Sequence, residues 1–381
     1  MGRAWEVAVA SFPAFAYMFT VGAVGFWLPL FLEEAAGYTH SMTEAIATVY
    51  FASLAVGGIT AGMATDETRK PHLVAFLGLS LNAAVIFLMP RLTAFHYMLV
   101  LRIVQGLSLS TAIPVALGSL SLLLGARRGV GFTALAMSTG MAVGSLYGGV
   151  VVEGLGYTPL FDTTALISLL AAAASTRLRV PGLRTRRPRV SELVKLVRGS
   201  VAVALAGIFG RQTLATGVYA ILAVYLKLVL GLSVLETAVA LTVNPVVQGF
   251  LSVPMSRLAS RGYARTLYST GISLTCCVFA LLSLSTGKAL IAYASMILQG
   301  IAFAMVNVSG NYIVITGLPE ENRYTASSLF NLFFNLGWVA GTGLAGVALA
   351  YLNPLRWLEI AASGLLLLGL AVYIGFQAVN H

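Results

Sequence analysis

The chain has 381 residues, of which 58% are hydrophobic and only 9% are charged, and its formal net charge is +10. Soluble proteins carry roughly a quarter of their residues as charged ones, so this composition excludes a water-soluble protein. The apolar runs are continuous over about twenty residues, which excludes a transmembrane β-barrel and predicts helices that cross a bilayer.

Apolar runs separated by charged and turn residues predict twelve membrane-spanning helices. In chain order the predicted spans are 7–30, 41–64, 73–90, 96–123, 130–152, 159–177, 199–226, 234–255, 265–286, 289–316, 324–350 and 355–377. An even number of spans places both termini on the same side of the membrane.

Lysines and arginines are divided unequally between the two sets of connections. The side that carries the termini holds 17 of the 23 basic residues, whereas the other side holds Arg91, Lys227, Lys288 and Arg356. Because cytoplasmic loops are enriched in Lys and Arg, we expect both termini to lie in the cytoplasm, at the plasma membrane. The bilayer therefore accounts for the net charge, and no nucleic-acid partner is expected.

A basic stretch at residues 179–198 lies near the middle of the chain. It predicts a cytoplasmic linker between an amino-terminal bundle, residues 1–178, and a carboxy-terminal bundle, residues 199–381; an ordinary long basic loop is the alternative. An internal repeat favours the division, because Gln105 and Gly106 recur as Gln299 and Gly300 at an offset of 194. The predicted fold class is an all-α membrane protein with twelve transmembrane helices in two six-helix bundles.

Glycines of the fifth and eleventh spans repeat in the same way. Positions 140, 144 and 149 recur as 337, 341 and 346, at an offset of 197. Glycines on one helix face let another backbone approach closely. The residues expected to mediate such packing are Gly140, Gly144, Gly148, Gly149, Gly337 and Gly341.

The connection between the second and third spans resembles the signature loop of the major facilitator superfamily. It contains Gly62, an acid at Asp66 and a basic pair at Arg69 and Lys70, with one residue fewer before the pair than the family has. The physical interpretation is a gate in which Asp66 accepts hydrogen bonds from Arg69 or from the first amides of the eleventh span. A solvated loop without a gating role is the alternative.

Two further segments are similar to motifs of the same family. Arg102, Gln105 and Gly106 resemble its fourth-span motif. The glycines of the fifth span resemble the motif of its proton-coupled drug exporters, except that Ser145 stands where a proline is usual. The resemblance implies secondary transport by alternating access, with a motif pattern nearest to the drug-exporter branches.

Charged side chains inside a span are costly and usually mark function. Arg211 lies near the middle of the seventh span, and we expect it to line the transport pathway; a paired structural arginine is the alternative. Arg102 lies nearer to a helix end, from which part of its side chain is expected to reach the surface. Gln105 lies on the same helix face as Arg102.

Amide side chains recur at helical spacing in the last six spans. In lipid such rows turn toward protein or a watery cavity, so they predict either a substrate-binding face or interhelical hydrogen bonds without a ligand. Together with Arg211, Arg102, Gln105 and Tyr17, the predicted substrate-binding residues are Asn244, Gln248, Gln299, Asn307, Asn311 and Asn335.

No Asp or Glu lies near the middle of any predicted span, and the sequence has no histidine cluster and no phosphate-binding glycine loop. We therefore expect no enzyme activity, no cofactor and no metal site. Because arginines are the fixed charges of the predicted cavity, the leading hypothesis is a monomeric secondary transporter of a small organic solute, anionic or amphipathic, coupled to a proton or another ion. A proton-coupled multidrug exporter is the runner-up. A transport-inactive scaffold and an intramembrane enzyme are alternatives of another class.

Overall fold

The computed structural model describes residues 2–180, 186, 192, 197–224, 226, 231–284, 289–351 and 354–379. Within these residues the chain is helical and contains no strand. Most of the predicted linker, 179–198, lies outside the described residues.

The first six helices follow the first six predicted spans to within a few residues. Helix α1, Gly2–Thr20, continues through a π-helical turn at Val21–Gly25, a short helix at Leu28–Leu30 and a second π-helical turn at Phe31–Ala35. The next five are α2, His40–Thr68; α3, Pro71–Leu88; α4, Phe95–Leu109 continued by Ala112–Leu124; α5, Ala126–Leu155; and α6, Tyr157–Ser175.

The last six helices are α7, Gly199–Val224; α8, Val234–Leu258; α9, Ala264–Ser283; α10, Ala289–Gly317; α11, Arg323–Tyr351; and α12, Pro354–Ala378. Length and hydropathy identify nine candidate membrane spans within the described part of the chain, and one of them, Leu235–Ser283, contains both α8 and α9. These two helices meet at Gly262, whose φ of 98° is a left-handed conformation that glycine adopts without strain. The helices confirm the predicted fold class and are consistent with twelve spans.

Short polar signals set several helix ends. Helix α8 begins with a capping box, in which the Ser233 hydroxyl accepts from the Glu236 N–H at 3.2 Å and the Glu236 carboxylate accepts from the Ser233 N–H at 2.8 Å. Helix α2 ends at Arg69, which has a left-handed φ of 56° and donates its N–H to the Thr65 carbonyl at 2.9 Å. Pro71 then starts α3, where its missing N–H costs nothing.

Equivalent glycines mediate equivalent contacts in the two sets of six helices. Helix α5 crosses α1, and α11 crosses α7, at glycines where an added Cβ would collide with the partner backbone; these are Gly140, Gly144, Gly337 and Gly341. Gly106 of α4 likewise meets α2, and Gly300 of α10 meets α8. The offsets of 194 and 197 in the sequence thus correspond to repeated helix packing.

Among the described residues, the main contacts between the first six helices and the last six are those of α5 along α8 and of α2 along α11, and α4 with α11 and α5 with α10 make smaller ones. A Cβ added to Gly149 of α5 would lie 2.8 Å from the Cβ of Ala238 on α8. Gly148 faces the Trp27 ring, in the continuation of α1. We call the membrane side where α2 ends and α11 begins the basic face, and the other side the opposite face.

Gly144→Val is expected to destabilise the protein by about 1–3 kcal/mol, because the new side chain would overlap the α1 backbone at Phe19. The apparent melting temperature of the purified protein measures this effect. Gly154→Val is the matched control, since Gly154 lies on the same helix with no atom near its added Cβ. Equal melting temperatures for the two variants would contradict the packing role of Gly144.

Candidate functional site

Asp66, near the end of α2, is bound by the first residues of α11. Its side chain is fully buried; Oδ1 accepts from the Tyr324 N–H at 3.3 Å, and Oδ2 accepts from the Thr325 N–H and hydroxyl, each at 2.7 Å. The free amides and the dipole at a helix N-terminus stabilise a carboxylate placed there. Of the two kinds of partner predicted for Asp66, the amides of the eleventh span are observed.

Gly62 and Arg69, the other residues of the predicted gate, lie on either side of Asp66. A Cβ on Gly62 would fall 2.7 Å from the Tyr324 carbonyl oxygen, so a larger residue would hold α2 and α11 apart. Arg69 has an exposed side chain at the basic face. Gly62 and Asp66 therefore form one contact zone between α2 and α11, and Arg69 follows it at the end of α2.

Tyr324 extends this contact zone to α4. Its side chain is fully buried, its ring lies against Gly118, and its hydroxyl oxygen lies 3.1 Å from the Ser119 hydroxyl oxygen. Ser327, one turn further along α11, donates to the Pro114 carbonyl at 3.1 Å. The sequence pattern does not reveal Tyr324, because a single tyrosine at a helix start carries no distinguishing signal.

A described residue of the basic linker also contacts the start of α11. The Arg186 N–H donates to the Glu321 carbonyl at 2.8 Å, its Nε donates to the Glu321 carboxylate at 3.1 Å, and its carbonyl accepts from the Asn322 side chain at 2.9 Å. The hydrogen bond to Glu321 raises the pKa of Arg186. The linker is thus attached next to the turn that precedes Tyr324.

On the opposite face the charged residues pair with one another. Arg91 forms two hydrogen bonds with the Asp162 carboxylate, at 2.8 Å and 3.1 Å, and this raises the pKa of Arg91. The Tyr157 hydroxyl donates to the Glu34 carboxylate at 3.0 Å. These contacts are exposed, and they lie within the first six helices.

Arg102 is buried inside the first six helices, with 5% of its surface exposed. Its guanidinium carbon lies 3.7 Å from the centroid of the Tyr50 ring, and its Nη1 donates to Gln105 Oε1. The expectation that Arg102 reaches the surface is wrong, because the cation–π contact and the amide hold the side chain inside. Arg102 Nε and Gln105 Nε2 have no hydrogen-bond partner among the described residues. Tyr17 is buried in the same apolar cluster as Tyr50.

Arg211 is fully buried inside the last six helices. Its Nη1 donates to the side-chain oxygen of Gln212, the next residue of α7. Its guanidinium carbon lies 5.0 Å from the centroid of the Phe303 ring on α10. Each buried arginine therefore combines a hydrogen bond to a neutral glutamine with a contact to an aromatic ring.

A continuous series of rings connects the two arginines, and we call it the aromatic row. From Arg102 to Arg211 its members are Tyr50, Phe51, Trp338, Phe334 and Phe303. Successive ring centroids are 5.3, 4.7, 6.4 and 6.2 Å apart, within the range of favourable aromatic pairs. The row passes from α2 to α11 at the stacked pair Phe51 and Trp338, whose rings are inclined by 26°.

A small cavity lies between α4 and α5 on one side and α10 and α11 on the other, with space for about one water molecule. Its walls include Asn307, Asn311 and Asn331, together with apolar residues of α4 and α5 such as Leu117. Asn311 donates to the side-chain oxygen of Asn307 at 3.0 Å, and its own side-chain oxygen has no partner among the described residues.

The other predicted amides lie in the interior without joining the wall of this cavity. Gln248, Gln299 and Asn335 are buried, and Asn244 is half-buried. The side-chain oxygens of Gln299 and Asn244 have no hydrogen-bond partner among the described residues. Within those residues no group of three or more His, Cys, Asp or Glu side chains is placed to hold a metal ion.

Repeated sets of membrane helices are typical of secondary transporters. The sequence profile described as Major Facilitator Superfamily matches residues 10–342, with a further match over 204–378. The chain belongs to this superfamily, which confirms the resemblance, and it is a transporter rather than an enzyme.

One solved structure with the same fold is that of the human organic anion transporter MFSD10 (TETRAN). The TM-score is 0.75 at 15% sequence identity, and the alignment covers 100% of each chain. At this identity the likeness shows the fold alone. No curated protein sequence matches the chain.

Proposed function

We propose that the protein is a secondary active transporter of a small organic anion, or of an amphipathic solute with an anionic group. The observation that carries the proposal is the burial of Arg102 and Arg211, each in contact with a neutral amide and an aromatic ring. A buried cation is costly in a bilayer, and its field attracts anions. The organic anion transporter named among the similar structures supports the same solute class.

Transport is proposed to occur by alternating access of two bundles, residues 1–178 and 199–381, joined by the linker at 179–198. The equivalent glycine contacts of α5 on α1 and of α11 on α7 support the two bundles, because each bundle is held together in the same way. Rocking would then open and close the surfaces where α5 meets α8 and α2 meets α11.

The contact of Asp66 with α11 is proposed as the gate at the basic face. It joins one bundle to the other through three hydrogen bonds, which must break when that face opens. Gly62 allows the close approach, and Arg69 ends α2 beside the contact. The gate is therefore closed in the conformation described.

A liposome assay tests the transport proposal. Purified protein is reconstituted into proteoliposomes, and uptake of organic anions is compared with uptake of organic cations of similar size. We expect net uptake of anions, together with a rise in melting temperature when anions bind, because a ligand of the folded state stabilises it. Transport of cations alone would contradict the anion proposal.

Proton-coupled multidrug export remains a second candidate, favoured by the glycines of α5. Gly140 and Gly144 pack on α1 as the exporter-like motif implies. In the same proteoliposomes, a pH gradient that drives transport of several unrelated drugs would favour this candidate over the anion transporter. The protein is proposed to act as a monomer with a proton or another coupling ion.

The basic face is proposed to be cytoplasmic, in the plasma membrane, because it carries most of the basic residues. In a variant with Cys276 and Cys277 replaced by Ser, we expect a cysteine at any position of 184–189 to react with an impermeant thiol reagent only after the membrane is opened. Ala94→Cys is the control, since Ala94 is exposed on the opposite face and should react in intact cells. Labelling of the 184–189 cysteine in intact cells would reverse the orientation.

A further inference from the structure

We propose that the aromatic row is a binding subsite for a ring, and that the substrate class is aromatic organic anions. The planar part of such a substrate would lie against Phe51 and Trp338, and its acid group would reach an arginine at one end of the row. This inference rests on the proposed function, because it assumes that an anion enters the space between the bundles.

Most rings of the row are less buried than the fully buried aromatics of the core. Phe330 and Phe279 in the last six helices are almost completely buried, with 1% and 0% of their surface exposed. Four of the five rings of the row are half-buried instead, and only Tyr50 is buried; the four are Phe51, Trp338, Phe334 and Phe303. They therefore stand, only partly covered, between two arginines that are themselves buried.

The position of the row relative to the bundles gives it a role in the transport cycle. Phe51 belongs to α2 and Trp338 to α11, the helices proposed to separate as the protein changes its access. Separation breaks their stack and uncovers the ring faces that meet in it. A flat aromatic group inserted between the two rings restores stacking on both faces. A saturated ring of similar size is not flat, so it contacts the two ring faces less well.

Hydrogen-bond donors at one end of the row complete the site for an anion. Arg102 Nε and Gln105 Nε2 are buried, and neither has an acceptor among the described residues. Only Tyr50 lies between Arg102 and Phe51 in the row. A carboxylate attached to a ring at Phe51 can therefore approach two donors whose hydrogen bonds are otherwise unmade.

The test compares three ligands by calorimetric titration of the purified full-length protein: 2-naphthoate, decahydro-2-naphthoate and 2-naphthylmethylammonium. The first two share the carboxylate but differ in aromaticity, and the third keeps the ring but reverses the charge. We expect 2-naphthoate to bind about tenfold more tightly than the saturated acid, and Trp338→Leu to reduce this ratio to about two or less. Trp338→Phe keeps a ring and should keep most of the ratio. Phe250→Leu is the control, because Phe250 is 80% exposed on α8 and outside the row.

The outcomes separate the two proposals. If the two acids bind wild type equally and Arg102→Gln or Arg211→Gln weakens both, the ring subsite is refuted while the anion transporter stands. If the ammonium ligand binds as well as 2-naphthoate, or if no acid binds, the proposed function fails and the ring inference fails with it. If Trp338→Leu and Trp338→Phe weaken both acids by the same factor, the row has a structural role only and the inference is overturned.

Discussion

Replacing Arg211 by glutamine is expected to lower the affinity for an organic anion by about tenfold to a hundredfold, the range for a lost hydrogen bond to a charged group. Arg211 is fully buried in α7, against the Phe303 ring and the Gln212 side chain. Lysine keeps the charge but loses the planar fork that grips a carboxylate at two points. The affinity should therefore decline from Arg to Lys to Gln.

Binding constants and melting temperatures should be measured on the same preparations of these proteins. Arg91→Gln is the matched control, because it removes one positive charge at the exposed pair with Asp162, which is outside the aromatic row. It should leave anion affinity unchanged. If Arg211→Gln melts far below wild type while its folded fraction binds the anion normally, Arg211 braces the fold and does not bind substrate.

The helices were predictable because their signal is spread over many residues. A run of about twenty apolar side chains identifies a span whatever its neighbours are, since a bilayer demands that length. Glycine spacing likewise indicated faces of close approach, and the structure places α1 against Gly140 and Gly144. Properties that depend on a single helix, such as its length and its closely packed face, could thus be inferred from the sequence.

Contacts that depend on two or more distant helices could not be predicted in this way. Phe51, Phe334 and Trp338 look like ordinary apolar residues of α2 and α11, and only the packing of those helices puts their rings in one row. The wrong expectation for Arg102 has the same origin. Its depth in α4 is visible in the sequence, but the Tyr50 ring that draws the side chain inward belongs to α2.

Asp66 illustrates an intermediate case, in which a motif gives the residue and the structure gives its partners. The sequence offered Arg69 and the amides of α11 as partners of Asp66, and the structure shows hydrogen bonds to Tyr324 and Thr325 of α11. In the proposed gate these bonds stabilise the conformation closed at the basic face, since they join α2 to α11. Both carboxylate oxygens of Asp66 and its negative charge contribute to these hydrogen bonds.

Asp66→Asn is therefore expected to shift the protein away from this closed conformation and to reduce transport strongly. The amide keeps one acceptor oxygen, but its NH₂ group would face an N–H donor of α11, and the favourable charge at the helix N-terminus is lost. A loss of about 2 kcal/mol changes the ratio of two conformations by roughly thirtyfold. Folding should survive, because each bundle keeps its own core.

Two measurements on Asp66→Asn are needed, made without the native cysteines. The first is anion uptake in proteoliposomes. The second is the thiol reactivity of Leu117→Cys, at a buried position in the wall of the small cavity, which should rise when the basic face opens. Glu153→Gln is the control, since it removes an exposed carboxylate near the end of α5, outside the contact of α2 with α11, and it should change neither measurement. Wild-type uptake and unchanged thiol reactivity in Asp66→Asn would show that the contact with α11 does not gate the pathway. A gate that depends on this contact cannot keep the same ratio of closed to open conformations after it loses a negative charge and one acceptor oxygen.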